Sequence, residues 1–376
     1  MITRLILLLV FISSVFTACH QSKNEKKSIV QESNSEIRYA KGFRIQHFDN
    51  YTQIIVRSPW DSTQNLENYI LVDRNKPVPA NLPLGTLVKV PVKKVALCSA
   101  VHAGMWELLG HVDQIIAVCE PQYMNFPYIQ KGVASGRVIN LGMYTAINIE
   151  KLMAAAPDIL VVSPFENSVD DRFKNVGIVV AKDASYLEAS PLGRSEWIKF
   201  EAAFSGEERK ADSIFSAIES RYLEVCKMVE ATKSRPTVFI EKKYGDTWYI
   251  SGGDSYIGRF LKDAGATYLW ADLKNTGSIP LAFEKVYEKA VNADFWLIKY
   301  NDVQGDLTYD KLKEEYELYS NFKAFKSENV FGMNSAKTPF YEKGTMEPDV
   351  VLADYTAIFH PEIMLDYKPK YYFKIK

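Results

Sequence analysis

Cysteine is scarce in this sequence, with four residues in 376, and one of them, Cys19, lies in the N-terminal leader. The other three, Cys98, Cys119 and Cys226, allow at most one disulfide bond, which excludes a fold framed by disulfides. Cys98 and Cys119 each end a predicted strand. We expect two separate buried thiols there, and a bridge between them is the alternative.

An excess of charge of one sign is also absent. The formal net charge is −1 at pH 7, so the chain lacks the basic surplus that is typical of a nucleic-acid-binding protein. Long apolar runs are missing after the leader, which excludes a transmembrane helix in the body of the protein. The apolar and charged fractions, 47% and 24%, are typical of a globular protein.

Residues 1–18 are typical of an export signal. Arg4 supplies the positive charge, and residues 5–16 form an apolar stretch that is too short to span a bilayer comfortably. Small residues then lead directly to Cys19, as in a bacterial lipoprotein cleavage site. We predict that Cys19 is lipidated and anchors the protein to a cell-envelope membrane, facing the periplasm; an ordinary signal peptide is the alternative. Residues 19–36, rich in Ser, Lys, Glu and Asn, form the predicted flexible tether.

Two segments of the chain repeat each other. Residues 148–162 and residues 282–298 each contain a short helical pattern that opens with an acidic residue, Glu150 or Glu284. A tight turn with Pro-Asp or Ala-Asp follows, and then an apolar run that is typical of a buried strand. Since a helix that leads into a buried parallel strand is half of a βαβ unit, the repeat predicts two similar α/β lobes with a cleft between them.

The predicted fold class is α/β, with two Rossmann-like lobes, largely parallel sheets and one long joining helix. We predict a small antiparallel β extension over residues 37–92, the N-terminal lobe over 93–190, a connecting segment over 191–234 and the C-terminal lobe over 235–376. Residues 207–232 keep a helical apolar period without Gly or Pro, which predicts a helix of about 39 Å. A single helix of this length between the two lobes limits how far the cleft can open.

Motifs of common enzyme classes are missing as well. The segment Gly252–Gly258 is neither a Walker loop nor a dinucleotide fingerprint, and it predicts instead a turn before a capped helix. Neither a Ser-His-Asp order nor a zinc-helix motif occurs. A bare metal ion would need three or four converging ligands, and we expect His102, His111 and His360 to lie apart. The sequence therefore favours a binding protein, without catalytic residues, a metal site or a cofactor, over an enzyme or a binder of bare metal ions.

Four short motifs follow one another along the two lobes. They are Asn148-Ile149-Glu150 with the downstream residues 156–161, residues 252–255, residues 261–266 and residues 280–284. These motifs follow a lipoprotein leader in the sequence. In this combination, the chain resembles the periplasmic substrate-binding proteins of ABC importers over about residues 92–360. The resemblance is to the class with one long bridging helix, which takes up cobalamin, ferric siderophores and haem. Residues 188–197 are similar to the branch found in Bacteroides-like bacteria.

The resemblance implies that Glu150 and Glu284 lie on the outer surfaces of the two lobes and pair with arginines of the transporter permease. A carboxylate at a helix N-terminus is exposed and is favoured there by the helix dipole. Plain helix capping is therefore the alternative role for both residues.

The ligand site is expected in the crevice at the carboxyl ends of the strands. The residues that we predict to line it are Ser99, Tyr123, Asn125 and Tyr144 in the first lobe, and Lys242, Trp248, Tyr249 and Asn334 in the second. Tyr144 matches a position where cobalamin binders often carry an aromatic residue, whereas Ser278 stands where they would carry a matching tryptophan.

The predicted ligand is an iron complex, either a ferric siderophore or haem, and cobalamin is the alternative. Ferric siderophores usually bind to cationic or aromatic cleft residues, and Lys242, Lys243 and Lys337 are available for this. Tyr123 or Tyr144 could also ligate iron directly. We expect binding to require no nucleotide, cofactor or separate metal ion.

Overall fold

The structure is a computed structural model that describes residues 33–34, 36–166 and 171–376. The predicted leader, the predicted lipidation site Cys19 and most of the predicted tether lie outside the described residues. Within the described ranges, no helix combines the length and the apolar surface that crossing a bilayer requires.

The N-terminal extension is a five-stranded sheet. Its strands, adjacent in chain order, are β1 (Ser33–Asn34), β2 (Phe43–His47), β3 (Thr52–Arg57), β4 (Asn65–Asp73) and β5 (Thr86–Val90). The first four strands pair antiparallel, but β5 pairs parallel with β4. This pairing differs from the wholly antiparallel extension that we predicted, because residues 74–85 carry the chain back along the sheet before β5 begins.

Two buried carboxylates hold the segment that leads into this extension. Glu196 accepts hydrogen bonds from the backbone amides of residues 38–40, at distances of 2.7–3.1 Å. Glu188 accepts from the amides of Lys41 and Gly42, both at 2.8 Å. Such charge-assisted bonds are stronger than neutral ones. The segment 188–197, noted for its similarity to one branch of binding proteins, therefore fixes the chain where the predicted tether meets the body.

The N-terminal lobe is built on a wholly parallel sheet. Its strands are β6 (Val95–Leu97), β7 (Ile115–Val118), β8 (Ile139–Asn140), β9 (Ile159–Val162) and β10 (Val180–Lys182), in the order β10-β9-β6-β7-β8. Its helices are α1 (Ala100–Leu109), α2 (Pro127–Ala134), α3 (Ile149–Ala155) and α4 (Asp171–Lys174). The first strand is central, which is typical of a doubly wound sheet.

Three helices form the connecting segment: α5 (Pro191–Glu196), α6 (Ile198–Ser205) and α7 (Glu208–Glu230). The 23 residues of α7 span about 35 Å. The predicted long helix is therefore confirmed, with slightly narrower bounds. Its buried residues Ala211, Phe215, Ile218 and Tyr222 follow the spacing of one helix face.

The C-terminal lobe has a second five-stranded sheet, with the order β14-β11-β16-β17-β18. These strands are β11 (Thr237–Ile240), β14 (Thr267–Tyr268), β16 (Phe295–Tyr300), β17 (Val330–Asn334) and β18 (Phe373–Lys374), of which β18 alone is antiparallel. A small antiparallel sheet contains β12 (Lys243–Tyr244), β13 (Thr247–Ser251) and β15 (Ser278–Leu281). The helices are α8 (Tyr256–Asp263), α9 (Phe283–Ala290), α10 (Tyr309–Glu315), α11 (Lys323–Lys326), α12 (Phe340–Lys343) and α13 (Pro348–Phe359).

The sequence repeat has one structural basis in both lobes. Asp158 Oδ2 accepts hydrogen bonds from the amides of Lys93 and Lys94, at 2.6 and 3.2 Å. Asp294 Oδ2 accepts from the amide and the hydroxyl of Thr237, at 2.8 and 2.7 Å. In each lobe, the aspartate between helix and strand thus holds the chain where the lobe's first strand begins. The Pro-Asp and Ala-Asp turns are alike because the aspartate of each turn binds the backbone at the start of the first strand of its lobe.

Candidate ligand-binding site

Two adjoining cavities form a cleft. The interlobe cavity has a volume of about 340 Å³. The C-terminal lobe forms one side of it, and the other side is formed by residues of the N-terminal lobe and the connecting segment, namely Val101, Ser185, Tyr186 and Arg194. The C-lobe cavity, of about 570 Å³, is lined by the C-terminal lobe alone. Both cavities are bordered by Ser251, Ser278, Lys299 and Tyr341. The cleft lies at the carboxyl ends of β11, β16 and β17, where ligands bind in α/β proteins.

An ion pair lies in the floor of this cleft. Lys299, on the apolar strand β16, places Nζ 3.0 Å from Glu241 Oε1, and the two side chains are 27% and 22% exposed. Burial by itself would lower the pKa of Lys299, but Glu241 outweighs it and holds that pKa above the ordinary value. Glu241 directly follows β11 with a φ of 63°, an uncommon conformation for a side chain other than glycine. Such backbone strain is often found at functional sites.

A second cation reaches the interlobe cavity from the connecting segment. Arg194, on α5, donates from Nε to the carbonyl oxygen of Glu188 at 2.8 Å, and its guanidinium lies 3.8 Å from the ring centroid of Tyr256. Burial lowers the pKa of Arg194, yet arginine remains charged in proteins. Arg194, in the connecting segment, and Lys299, in the C-terminal lobe, therefore both present positive charge to one cavity.

Tyrosines surround these cations. Tyr186 and Tyr341 are 41% and 56% exposed and line the interlobe cavity, and Tyr249 is 47% exposed and lines the C-lobe cavity. The hydroxyl of Tyr186 donates to the carbonyl oxygen of Pro164 at 2.7 Å, which fixes the position of its ring at the cavity. A cavity that combines tyrosine rings, their hydroxyl groups and fixed cations suits an anionic ligand. Such a ligand would also be aromatic or rich in oxygen.

A larger cavity, of about 700 Å³, lies between the segment of residues 38–41 and α8. It does not include Lys299, Arg194 or the strand ends around β16. We therefore place the candidate site in the cleft formed by the two smaller cavities, because the carboxyl ends of the strands meet two cations from different segments of the chain there.

Two of the residues predicted from the sequence lie in the cleft. Lys242 and Tyr249 line the C-lobe cavity, and Lys242 forms an ion pair with Glu315. Tyr249 points into the cleft because it alternates along β13 with two fully buried neighbours, Trp248 and Ile250.

Trp248 and Asn334 occupy structural positions instead. Trp248 is fully buried, donates from its indole to the carbonyl oxygen of Ile240 at 2.9 Å and packs among core aromatic residues. Adjacent residues of a strand face opposite sides, so Trp248 and Tyr249 could not both face the cleft. Asn334 is 5% exposed and binds the backbone of Asp302 and Gly305, which holds the loop after β16 in place.

The four residues predicted in the first lobe line neither cavity. Ser99 caps α1, with Oγ accepting from the amide of Val101 at 3.2 Å, and Tyr144 donates its hydroxyl to the carbonyl oxygen of Ser163. Tyr123 and Asn125 are exposed in the loop before α2. The structure thus does not bring these four residues together with Lys242 and Tyr249.

The sequence analysis missed Arg194, Lys299 and Tyr186. Lys299 carried a recognisable signal, since it is a charged residue within an otherwise apolar strand. Arg194 lies in the segment 188–197, which was noted for its similarity but given no role in binding. For Tyr186 we find no signal in the sequence, because its place depends on the short turn after β10.

Glu150 and Glu284 lie where the repeat predicted. Each is exposed in the first turn of its helix, α3 or α9. The side chain of Asn148 caps α3 by accepting from the amide of Lys151 at 2.8 Å, so Glu150 is not the residue that caps that helix. Their pairing with a permease remains a prediction.

Residues 95–336 match a family of known proteins whose description is "periplasmic binding protein". The chain belongs to this family. Periplasmic binding proteins serve as the solute-binding components of ABC transporters and are not enzymes, which confirms both of those expectations. The finer resemblance, to one branch and one ligand, stays a prediction.

Individual relatives agree with this family. An uncharacterized lipoprotein of Methanocaldococcus jannaschii is 26% identical over 404 aligned residues, which cover 98% of this chain and 95% of the relative. A periplasmic heme binding protein from Pseudomonas aeruginosa has a TM-score of 0.57 at 16% identity, covering 74% of this chain and 95% of that one. An ABC-type Fe3+-hydroxamate transport system protein from Saccharomonospora viridis has a TM-score of 0.54 at 19% identity, covering 72% and 94%. At such identities, the two structures show the fold alone.

Proposed function

We propose that this periplasmic binding protein captures an iron complex, either a ferric siderophore or haem, in the cleft and delivers it to the permease of its ABC transporter. The observation that carries the proposal is the convergence of Arg194, from the connecting segment, and Lys299, from the C-terminal lobe, on one tyrosine-lined cavity. Haem presents carboxylates on an aromatic macrocycle, and ferric siderophores are oxygen-rich and often anionic. The printed names of two proteins with this fold, one for heme and one for a ferric hydroxamate, agree with this ligand class.

Cobalamin fits the lining less well. It calls for mainly apolar and aromatic walls, and the residue that stands in place of the expected tryptophan, Ser278, borders both cavities. A bare metal ion as the transported solute also fits poorly. Among the described residues that line the two cavities, Glu241 is the single carboxylate, and it is already paired with Lys299.

The ligand class is tested by titrating the purified protein with haem, a ferric hydroxamate, a ferric catecholate and cobalamin in turn. Binding is read from the absorption of the ligand and from the quenching of tryptophan fluorescence. We expect saturable binding of one iron complex. Saturable binding of cobalamin alone would contradict the proposal and favour the alternative ligand.

Replacing Tyr249 with alanine is expected to weaken binding by about 1–3 kcal/mol if its ring stacks on the ligand, since it lines the C-lobe cavity. Tyr123→Ala is the comparison, because Tyr123 is exposed and lines neither cavity. Titration calorimetry measures both variants. A loss in Tyr123→Ala without a loss in Tyr249→Ala would move the site to the strand ends of the first lobe, as the sequence predicted.

We also propose that Cys19 carries the lipid anchor, in line with the naming of the archaeal relative as a lipoprotein. Cells grown with a labelled fatty acid should incorporate the label into the wild-type chain. The Cys19→Ala variant should incorporate none and should leave the membrane fraction. Equal labelling of the two chains, or of neither, would contradict lipidation at this residue.

A further inference from the structure

Three buried polar side chains meet where the N-terminal lobe packs against the connecting segment, next to the cleft. His102 lies on α1, Asp183 directly follows β10 and Glu201 lies on α6, and they are 1%, 0% and 0% exposed. One donor atom of each lies within 4.8 Å of the donor atoms of the other two. The cluster is defined by these three residues and is called the 102–183–201 cluster.

Each side chain of the 102–183–201 cluster has one atom held by a neighbour. Glu201 Oε2 accepts from the indole nitrogen of Trp106 at 2.8 Å, and Asp183 Oδ1 accepts from the amide of Ser185 at 2.8 Å. His102 Nε2 lies 3.4 Å from the hydroxyl of Ser163.

The other polar atom of each side chain meets no donor of another residue. Glu201 Oε1, Asp183 Oδ2 and His102 Nδ1 have no such partner among the residues that the structure describes, although the carboxyl groups of Glu201 and Asp183 lie within hydrogen-bonding reach of each other if one of them is protonated. A buried polar atom without a partner destabilises a fold, and a buried unpaired carboxylate does so more strongly. The cluster therefore calls for a positive charge beside its two carboxylates, supplied either by a cation or by a proton.

We propose that the 102–183–201 cluster binds one divalent first-row transition cation, such as Zn²⁺ or Mn²⁺. A neutral imidazole and two carboxylates are ligand types that these ions prefer. Two ionised carboxylates also balance the double positive charge of the ion. His102 Nδ1 is the ring nitrogen without a hydrogen-bond partner among the described residues, so it is the atom available to bind the cation.

The surroundings of the cluster support this assignment. Trp106, the amide of Ser185 and Ser163 occupy the places of outer-sphere partners, which orient metal ligands by hydrogen bonds. Ligand atoms about 2.0–2.2 Å from a zinc ion lie about 3.3–3.6 Å apart in a tetrahedron, so the donor atoms, which are within 4.8 Å of one another, need to close by up to about 1.5 Å for each pair. Ser185 lines the interlobe cavity, and a cation at Asp183 would therefore fix the wall that carries Tyr186.

The competing explanation is a proton in place of a cation. Burial, together with the neighbouring Asp183, holds the pKa of Glu201 well above its usual range, so the two carboxylates could share one proton. The two explanations predict different effects of replacing Glu201 with glutamine, its neutral isostere. Glu201→Gln removes a cation ligand, but it would mimic a protonated Glu201.

The test uses the full chain, purified in detergent and freed of metal with a chelator. Because the cluster is buried, Zn²⁺ or Mn²⁺ is added both to the folded protein and during refolding. Bound metal is counted by inductively coupled plasma mass spectrometry after gel filtration, and the melting temperature is recorded with and without the ion. We expect one cation per chain and a higher melting temperature, in the absence of any transported ligand.

Variants decide between the explanations. Glu201→Gln and His102→Gln should weaken cation binding about 100-fold or more, whereas His111→Gln, which removes the partly exposed partner of Glu207, should leave it unchanged. Wild-type protein that retains no cation after either loading procedure would overturn the proposal. Equal cation binding by wild type and Glu201→Gln would also overturn it, by placing the ion elsewhere. The wild-type measurements keep the test decisive if a variant does not fold.

Discussion

Replacing Lys299 with methionine is expected to weaken binding of an anionic iron complex by about 30-fold, which corresponds to about 2 kcal/mol. The variant loses a cation from the cleft and leaves the carboxylate of Glu241 unpaired, so that it repels the ligand. Glu241→Gln has the opposite effect on charge, and we expect it to bind the ligand as well as the wild type or more tightly. The raised pKa of Lys299 means that its contribution should not change between pH 5 and pH 9, because the lysine stays charged throughout.

The control for this pair of variants is Lys285→Met. Lys285 lines neither cavity, and its ion pair with Glu288 is exposed, so its loss should leave ligand affinity unchanged. Fluorescence titration measures affinity, and thermal melting checks that each variant is folded. Equal losses in Lys299→Met and Glu241→Gln would show that the ion pair acts only by holding the fold together.

The double variant Glu150→Ala, Glu284→Ala is expected to bind the ligand with near-normal affinity and yet to abolish uptake into cells. Both side chains are exposed and lie at the starts of matching helices, outside the cleft. If they pair with permease arginines, as the family resemblance implies, their loss removes charge-assisted contacts made only during delivery. Removal of an acidic residue near a helix N-terminus should destabilise the fold by only about 0.3–1 kcal/mol for each site.

A matched control is the double variant Glu224→Ala, Glu314→Ala, which removes two exposed carboxylates from other helices. Uptake and ligand affinity are measured side by side for both double variants and the wild type. Normal uptake in the first double variant would show that the two glutamates do not dock. A parallel fall in uptake and affinity would assign them to the binding site or the fold instead.

The α/β class, the repeat and the long helix could all be predicted from the sequence. These features depend on local patterns: the apolar period of residues 207–232, and a helix that leads through an aspartate into a buried strand in each lobe. Even Asp158 and Asp294 could be recognised as equivalent, because the turn that each one makes is encoded in adjacent residues. Tyr249 and Lys242 were found because they lie next to strands whose ends the pattern had located.

The tertiary structure alone decided which residues meet in the cleft and in the core. Trp248 and Tyr249 are neighbours in the sequence, but the pleat of β13 sends one into the core and the other into the cleft. Arg194 and Lys299 are more than a hundred residues apart and converge only when the two lobes are in place. The same holds for His102, Asp183 and Glu201. They come from two helices and a strand end, so no regular spacing in the sequence predicts that they meet. Contacts between distant segments are set by how sheets and helices pack, and packing is a property of the whole chain.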